Sequence, residues 1–80
     1  MKLIWVTQAK YLGDYRLQLT FNDGAVKVFD GADLVANNPL FKSLQSTVNF
    51  RNFILDGWTV TWDNRLDLAP EYLYEYGVPI

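Results

Sequence analysis

The side chains of this chain that could carry out chemistry are carboxylates. The sequence contains no histidine and no cysteine. Nucleophiles activated by histidine, thiolate chemistry and an ordinary zinc site are therefore excluded. Any acid–base or metal chemistry must come from Asp and Glu.

One group of oxygen ligands lies in the stretch DNRLD, which holds Asp63, Asn64 and Asp67. Such side chains can bind a hard cation, but the stretch lacks the ligand number and the closing glutamate of a calcium loop. Turn formation and capping explain the same residue types without a metal. We therefore predict no metal site here.

A second pair of acids, Asp30 and Asp33, is separated by two residues. Paired carboxylates can act as general acid and base, so a small carboxylate-dependent hydrolase is one hypothesis. Asp30 also precedes a segment with helical character, where an Asp side chain can cap free backbone N–H groups. We favour capping, and we predict no catalytic residues and no bound cofactor.

Two β-hairpins are the main elements that position these acids. The first, from Tyr15 to Asp30, alternates apolar and polar residues, as a strand with one buried face does. Asp23-Gly24 in its middle is suited to a two-residue type I′ turn. That turn sets Phe21 opposite Val26 and Leu19 opposite Val28, which would place the large aliphatic residues on one face.

Residues Asn52 to Trp62 repeat this pattern around Asp56-Gly57. The predicted register sets Leu55 opposite Trp58 and Phe53 opposite Val60, with Thr59 and Thr61 on a more polar face. Trp58 and Trp62 then point to the same side of the strand. We predict that both are core residues.

The remaining segments complete an α+β domain. We predict a strand over Leu3–Tyr11, a turn at Gly13-Asp14, two helical turns broken near Asn38, a polar link over Gln45–Asn49, an extended piece over Leu66–Leu68, and a helix from Pro70 to Tyr76 that Gly77 ends. The β-β-β-α-β-β-α order predicts an antiparallel sheet of two hairpins plus an N-terminal strand, covered by short helices. At 80 residues the chain is predicted to be a single domain, residues 1–80.

Aromatic residues are abundant for a chain of this size, with three Trp, five Tyr and five Phe. A domain this small cannot cover all of them, so we predict that some face a partner. Phe29 is one candidate, because it lies on the strand face opposite Leu19, where either a helix or a partner covers it. The others are Tyr72, Tyr74 and Tyr76, which cannot all face inward from a short helix.

The balance of charge restricts the class of partner. Seven basic and nine acidic side chains give a formal net charge of −2. Because phosphate neutralisation needs an excess of Lys and Arg, direct nucleic-acid binding by this domain alone is disfavoured. The N-terminal stretch MKLIWVTQAK has too short an apolar run for a signal peptide or a membrane span. We expect a cytoplasmic protein with no membrane partner.

Several of these residues form an ordered set of motifs along nearly the whole chain. They are Tyr15, Leu17, Leu19, Phe21 and Asp23-Gly24, then Phe29-Asp30, Leu34, Phe41, Leu44 and Phe50, and finally Trp62, Leu66-Asp67-Leu68-Ala69-Pro70 and Leu73. This order resembles the small bacterial family called domain of unknown function 2442, and Trp62 followed by DLAPEYL is its most specific part. The chain departs from the family pattern at Asp63-Asn64-Arg65, where a glycine is frequent.

The resemblance implies an α+β fold like the N-terminal domain of a relative in which that domain precedes a helix-turn-helix module. We expect no such module to follow here. The family is also similar to one half of two-gene arrangements, which implies pairing of the toxin–antitoxin kind. It supplies no catalytic residues.

The function predicted from these observations is a non-enzymatic protein-interaction module. It would bind a small bacterial protein, or a second copy of itself as a homodimer, through uncovered aromatic surface. A regulatory domain that acts on DNA through a partner is an alternative, and so is the carboxylate-dependent hydrolase.

Overall fold

A computed structural model describes residues 3–62 and 66–80 of the chain. Its elements are β1 Val6–Gly13, β2 Arg16–Phe21, β3 Val26–Asp30, α1 Ala32–Asn37, a 3₁₀ helix Pro39–Gln45, α2 Thr47–Arg51, β4 Ile54–Leu55, β5 Val60–Trp62, β6 Leu66–Asp67, α3 Pro70–Tyr76 and β7 Val78–Pro79. The larger sheet has the order β1-β2-β3-β7 and the smaller one β4-β5-β6. The predicted α+β class and order are confirmed. The second hairpin lies in a sheet of its own, and β7 was not predicted.

The turn between β1 and β2 consists of Asp14 and Tyr15, which have φ values of 53° and 65°. Gly13 pairs with Arg16 across it. Two consecutive residues with positive φ define a type I′ turn. The predicted antiparallel pair is present, but its turn lies one residue later than Gly13-Asp14. Tyr15 therefore has a positive φ, a conformation that residues other than glycine adopt rarely.

The loop between β2 and β3 has three residues, Asn22-Asp23-Gly24. The Gly24 amide donates to the Phe21 carbonyl at 2.9 Å, and the Phe21 amide donates to the Ala25 carbonyl at 2.9 Å. Within this loop only Gly24 has a positive φ, of 89°. The loop is therefore a type I turn followed by a glycine bulge, not the predicted two-residue type I′ turn.

The longer loop shifts the register of this hairpin by one residue. Leu17 pairs with Phe29, and Leu19 pairs with Lys27. Phe29 therefore joins the buried face, while Val26 and Val28 lie on the opposite, outer face. The predicted pairs Phe21–Val26 and Leu19–Val28 are wrong, because side chains alternate with period two and a one-residue slip exchanges the faces of β3.

The second hairpin keeps its predicted buried face with a different register. Leu55 pairs with Val60, a shift of two residues that leaves each side chain on the same face. Trp62 is buried as predicted. Trp58 lies at the exposed tip of the loop and stacks on Trp5, with ring centroids 5.8 Å apart. Its predicted place in the core is wrong, because the loop carries it past the end of the strand pair.

The face of the second hairpin that we predicted to be more polar is buried at Thr59 and Thr61. Their hydroxyls donate to the carbonyls of Leu68 and Leu66 respectively. β6 pairs beside β5 in the same sheet, so the carbonyls of Leu66 and Leu68 are placed to accept hydrogen bonds from these hydroxyls.

Three short helices, α1, the 3₁₀ helix and α2, follow β3 in the chain. The Asp30 carboxylate accepts a hydrogen bond from the Ala32 amide at 3.0 Å. Gly31 occupies the N-cap position of α1, so Asp30 lies one residue before it. Asn38 is extended and its side chain accepts from the Leu40 amide at 3.0 Å, so the predicted break and cap are confirmed. The predicted polar link over Gln45–Asn49 is wrong, because α2 begins at Thr47.

No helix within residues 3–62 or 66–80 is long and apolar enough to cross a membrane.

The core is continuous and centres on Phe50, which α2 carries into it. Its buried apolar residues are Val6, Leu17, Leu19, Phe21, Phe29, Val35, Phe41, Leu44, Phe50, Val60, Trp62, Leu68 and Leu73. The Phe50 ring lies 5.6 Å from the Trp62 ring, and Trp62 Nε1 donates to the Phe50 carbonyl at 2.7 Å. In the part of the chain that the structure describes, every buried side-chain nitrogen and oxygen has a hydrogen-bond partner.

Candidate functional site

Helix α3 positions the three tyrosines that the sequence singled out. It begins at Pro70, whose fixed φ suits the first helical position, and ends at Tyr76. Gly77 then lies so close to β3 that a Cβ atom there would be 2.8 Å from the Leu73 carbonyl oxygen and 2.9 Å from Lys27 Cβ. Only glycine fits this contact, so the chain can pass directly from α3 into β7.

Tyr74 holds α3 against the β2–β3 hairpin. Its ring meets Phe21 edge to face, with centroids 5.0 Å apart, and its hydroxyl donates to the Asp23 carboxylate at 2.7 Å. That hydrogen bond raises the pKa of Tyr74, because it favours the protonated hydroxyl. Lys27 Nζ lies 3.7 Å from the ring centroid. Tyr74 therefore anchors α3 to the hairpin, and its partner-binding role stays a prediction.

Phe29, Tyr72 and Tyr76 form a row of rings from the core to the surface. Phe29 is only 3% exposed and meets Tyr72 with centroids 5.7 Å apart. Tyr72 is half-buried and meets Tyr76 at 4.8 Å. Of the two alternatives for Phe29, the structure takes the one in which a helix covers it. The exposed end of the row is Tyr76.

A groove of about 460 Å³ lies beside this row, between α1, α3, the end of β3 and the C-terminal strand. We call it the C-terminal groove. Its apolar lining consists of Val28, Phe29, Leu34, Tyr72, Tyr76, Val78 and Ile80. It is a concave apolar surface of the kind that receives a ligand or a partner side chain.

The apolar lining continues onto the outer face of the larger sheet. Val28 pairs with Val78, and the Ile80 amide donates to the Val26 carbonyl at 3.3 Å. Paired residues project to the same side of a sheet. Val26, Val28, Val78 and Ile80 therefore form an aliphatic strip beside the groove. The sequence does not indicate this strip, because the predicted register places Val26 and Val28 in the core. Val78 and Ile80 alternate around Pro79, but so short an alternation does not indicate a strand.

Two carboxylates form an acidic rim on the same groove. Asp30 enters it from the end of β3 and Asp33 from the first turn of α1, and both are exposed. The structure thus brings together the pair that the sequence considered for acid–base chemistry. An open position leaves both side chains in contact with water, so what they contribute to the groove is negative charge.

Of the other oxygen ligands considered from the sequence, the structure describes Asp67, which does not line this groove. Asp67 is exposed on β6, while Asp63 and Asn64 lie outside the described residues. Across residues 3–62 and 66–80, no group of three or more acidic side chains is placed to hold a metal ion.

Comparison with known proteins places this architecture in a family. The family described as Protein of unknown function (DUF2442) matches residues 6–79. No curated protein and no solved structure matches the chain significantly. The matched range runs from the first residue of β1 to the last residue of β7, so it includes every lining residue of the groove except Ile80, and it confirms the resemblance seen in the motifs. The chain belongs to the DUF2442 family.

Proposed function

We propose that this chain is a non-enzymatic protein-interaction module and that its C-terminal groove receives a segment of a partner protein. The observation that carries the proposal is the exposure of three neighbouring apolar side chains. Tyr76, Val78 and Ile80 are 60%, 65% and 74% exposed, and all three line the same groove. Contiguous apolar surface of this kind on a small domain is typical of an interaction site.

The rigidity of this surface also supports the proposal. Tyr76 packs against Tyr72, which packs against the buried Phe29, so the exposed ring is held from below. Gly77 fixes the junction of α3 and β7 through its close contacts with Leu73 and Lys27. A surface ordered before binding loses less conformational entropy when a partner arrives. Tyrosine is also among the residues enriched at the energetic centres of interfaces.

We propose that the partner is a small bacterial protein, in the pairing that the family resemblance implies. The first candidate to test is the product of the neighbouring gene, co-expressed with this chain and purified through a tag on one of the two. A stable complex of defined stoichiometry in light scattering would identify the partner.

A pair of matched variants tests whether the groove carries the binding. In one variant Tyr76→Ala is combined with Ile80→Ser. In the control, Leu40→Ser replaces a side chain that is 72% exposed but does not line the groove. The control should keep the wild-type melting temperature within a few degrees, because an exposed side chain contributes little to stability. The groove variant also loses the contact between Tyr76 and Tyr72, so it should melt several degrees lower and still unfold cooperatively.

We expect the groove variant to lose the partner and the control to keep it, when each is used as bait at micromolar concentration. Equal retrieval by the two variants would place the interface elsewhere. A wild-type chain that stays monomeric and retrieves no partner would count against the whole proposal.

A further inference from the structure

The charged residues of the C-terminal groove are of one sign. Asp30 and Asp33 line it, and the lining includes no Lys or Arg among the residues described. Arg16 pairs with Asp30 across the ladder, but its Nε donates to the Gly13 carbonyl at 3.4 Å. An occupant must therefore bring apolar groups for the walls and can bring positive charge for the rim.

We infer that the C-terminal groove selects a peptide segment in which an apolar side chain is flanked by lysine or arginine, an inference that rests on the proposed function of the groove. The carboxylates of Asp30 and Asp33 attract such a segment electrostatically. The exposed ring of Tyr76 adds a face over which a cation is stabilised. The same chemistry already occurs on α3, where Lys27 Nζ lies 3.7 Å from the centroid of the Tyr74 ring.

The acidic rim also argues against a second copy of this chain as the occupant. A two-fold dimer through this surface would bring the same patch of each copy together. Such an interface would hold four carboxylates, two from each groove, and no Lys or Arg from the described lining, and like charges brought into one interface oppose association. The formal net charge of −2 on each chain adds to the repulsion.

The open edge of β7 limits how the segment can be held. β7 is an edge strand, and an edge can accept a further strand through its free backbone groups. The Ile80 amide points to β3, where it donates to Val26, so the neighbouring Pro79 nitrogen points to the open edge. Proline has no N–H to donate there. The segment is therefore held through its side chains in the groove and not by strand addition to β7.

A displayed library of random peptides, selected on the wild-type chain, tests the inference whether or not the partner has been identified. Peptides that bind the wild type but lose binding to the Tyr76→Ala, Ile80→Ser double variant are groove-dependent. We expect these peptides to share Lys or Arg next to an apolar residue.

The charge requirement is then measured on one groove-dependent peptide made synthetically. Asp33→Lys should weaken its binding about twofold to fivefold, as expected for an exposed ion pair, with a larger effect at low salt. Asp67→Lys changes the net charge equally on an exposed residue of β6 that does not line the groove, so it should leave the affinity nearly unchanged.

The outcomes separate this inference from the proposal beneath it. Groove-dependent peptides that are neutral or acidic, or an unchanged affinity in Asp33→Lys, would overturn the cationic segment and leave the interaction function standing. A dimer of the wild-type chain that Tyr76→Ala with Ile80→Ser dissociates would overturn it in favour of a second copy. Failure to obtain any groove-dependent peptide would count against both.

Discussion

The ring of Tyr15 meets the ring of Phe50 edge to face, with centroids 5.3 Å apart and planes inclined by 85°, while the Tyr15 backbone lies in the left-handed region. Its hydroxyl donates to the Gln45 carbonyl, and its own carbonyl accepts from the Gly31 amide at 2.8 Å. A tight turn of the larger sheet is thereby tied to the helical layer. Backbone strain of this kind persists where surrounding contacts hold it.

Two substitutions at Tyr15 separate the ring contact from the backbone strain. Tyr15→Ala and Tyr15→Asn both remove the ring, so each should lower the free energy of unfolding by about 1–3 kcal/mol. Asn adopts positive φ more readily, so Tyr15→Asn should be the more stable of the two by about 1 kcal/mol. Urea unfolding of the three proteins provides the comparison. If the Ala variant were as stable as the Asn variant, the turn would not have the left-handed geometry described above.

The glycine bulge at Gly24 gives a second prediction. A Cβ atom at Gly24 would meet no other atom within 4 Å, but φ there is +89°. Gly24→Val should therefore cost about 1–3 kcal/mol through backbone strain alone. Gly24→Asn should cost less, since Asn tolerates this region. Thermal melts of the two variants test the assignment of a glycine bulge at Gly24. Equal melting temperatures for the wild type and Gly24→Val would rule it out.

The same bulge explains why the register of the first hairpin could not be predicted. Asp23-Gly24 fits the centre of a two-residue turn and equally the last two positions of a three-residue loop. The local residues satisfy both, so the choice depends on distant packing. The observed register buries Phe29 beneath Tyr72 of α3, a contact between residues far apart in the sequence. The existence of the hairpin and the buried face of β2 were predictable from pattern, whereas the buried face of β3 was not.

The candidate site was predictable only in part for a related reason. Tyr76 was singled out because three tyrosines cannot all face inward from one short helix. Val78 and Ile80 were missed because a strand as short as β7 has too few residues to show a period. The groove itself lies between α1, α3, the end of β3 and the C-terminal strand. These elements are far apart in the sequence, so no local pattern encodes their junction.

The indole of Trp62 gives a third prediction. Its Nε1 donates to the Phe50 carbonyl at 2.7 Å inside the core. Trp62→Phe would keep an aromatic ring but leave that carbonyl without its donor, and it would also create space. We expect a loss of about 1–3 kcal/mol from the unpaired acceptor, with a further cost from the lost volume. Denaturant unfolding measures it; a loss below about 0.5 kcal/mol would mean that water replaces the indole donor.

Acid should weaken the second hairpin through Asp56. Its Oδ1 accepts hydrogen bonds from the Trp58 and Thr59 amides, each at 2.9 Å. These bonds, that of Thr59 first, hold the pKa of Asp56 below its ordinary value of 3.8 because they favour the ionised carboxylate. Since the folded pKa is the lower one, this stabilisation is complete above the unfolded pKa and is lost as the pH falls through the folded value.

Melting temperatures of the wild type and Asp56→Asn, measured from pH 6 to pH 2, test this directly. The wild type should be the more stable protein at pH 6, because an ionised acceptor binds amide N–H groups more strongly than a neutral one. The difference between the two should stay constant down to about pH 5 and shrink below it, as the carboxylate becomes protonated first in the unfolded chain and then in the folded one. A difference that is the same at pH 6 and pH 2 would show that the charge on Asp56 does not stabilise the β4–β5 loop.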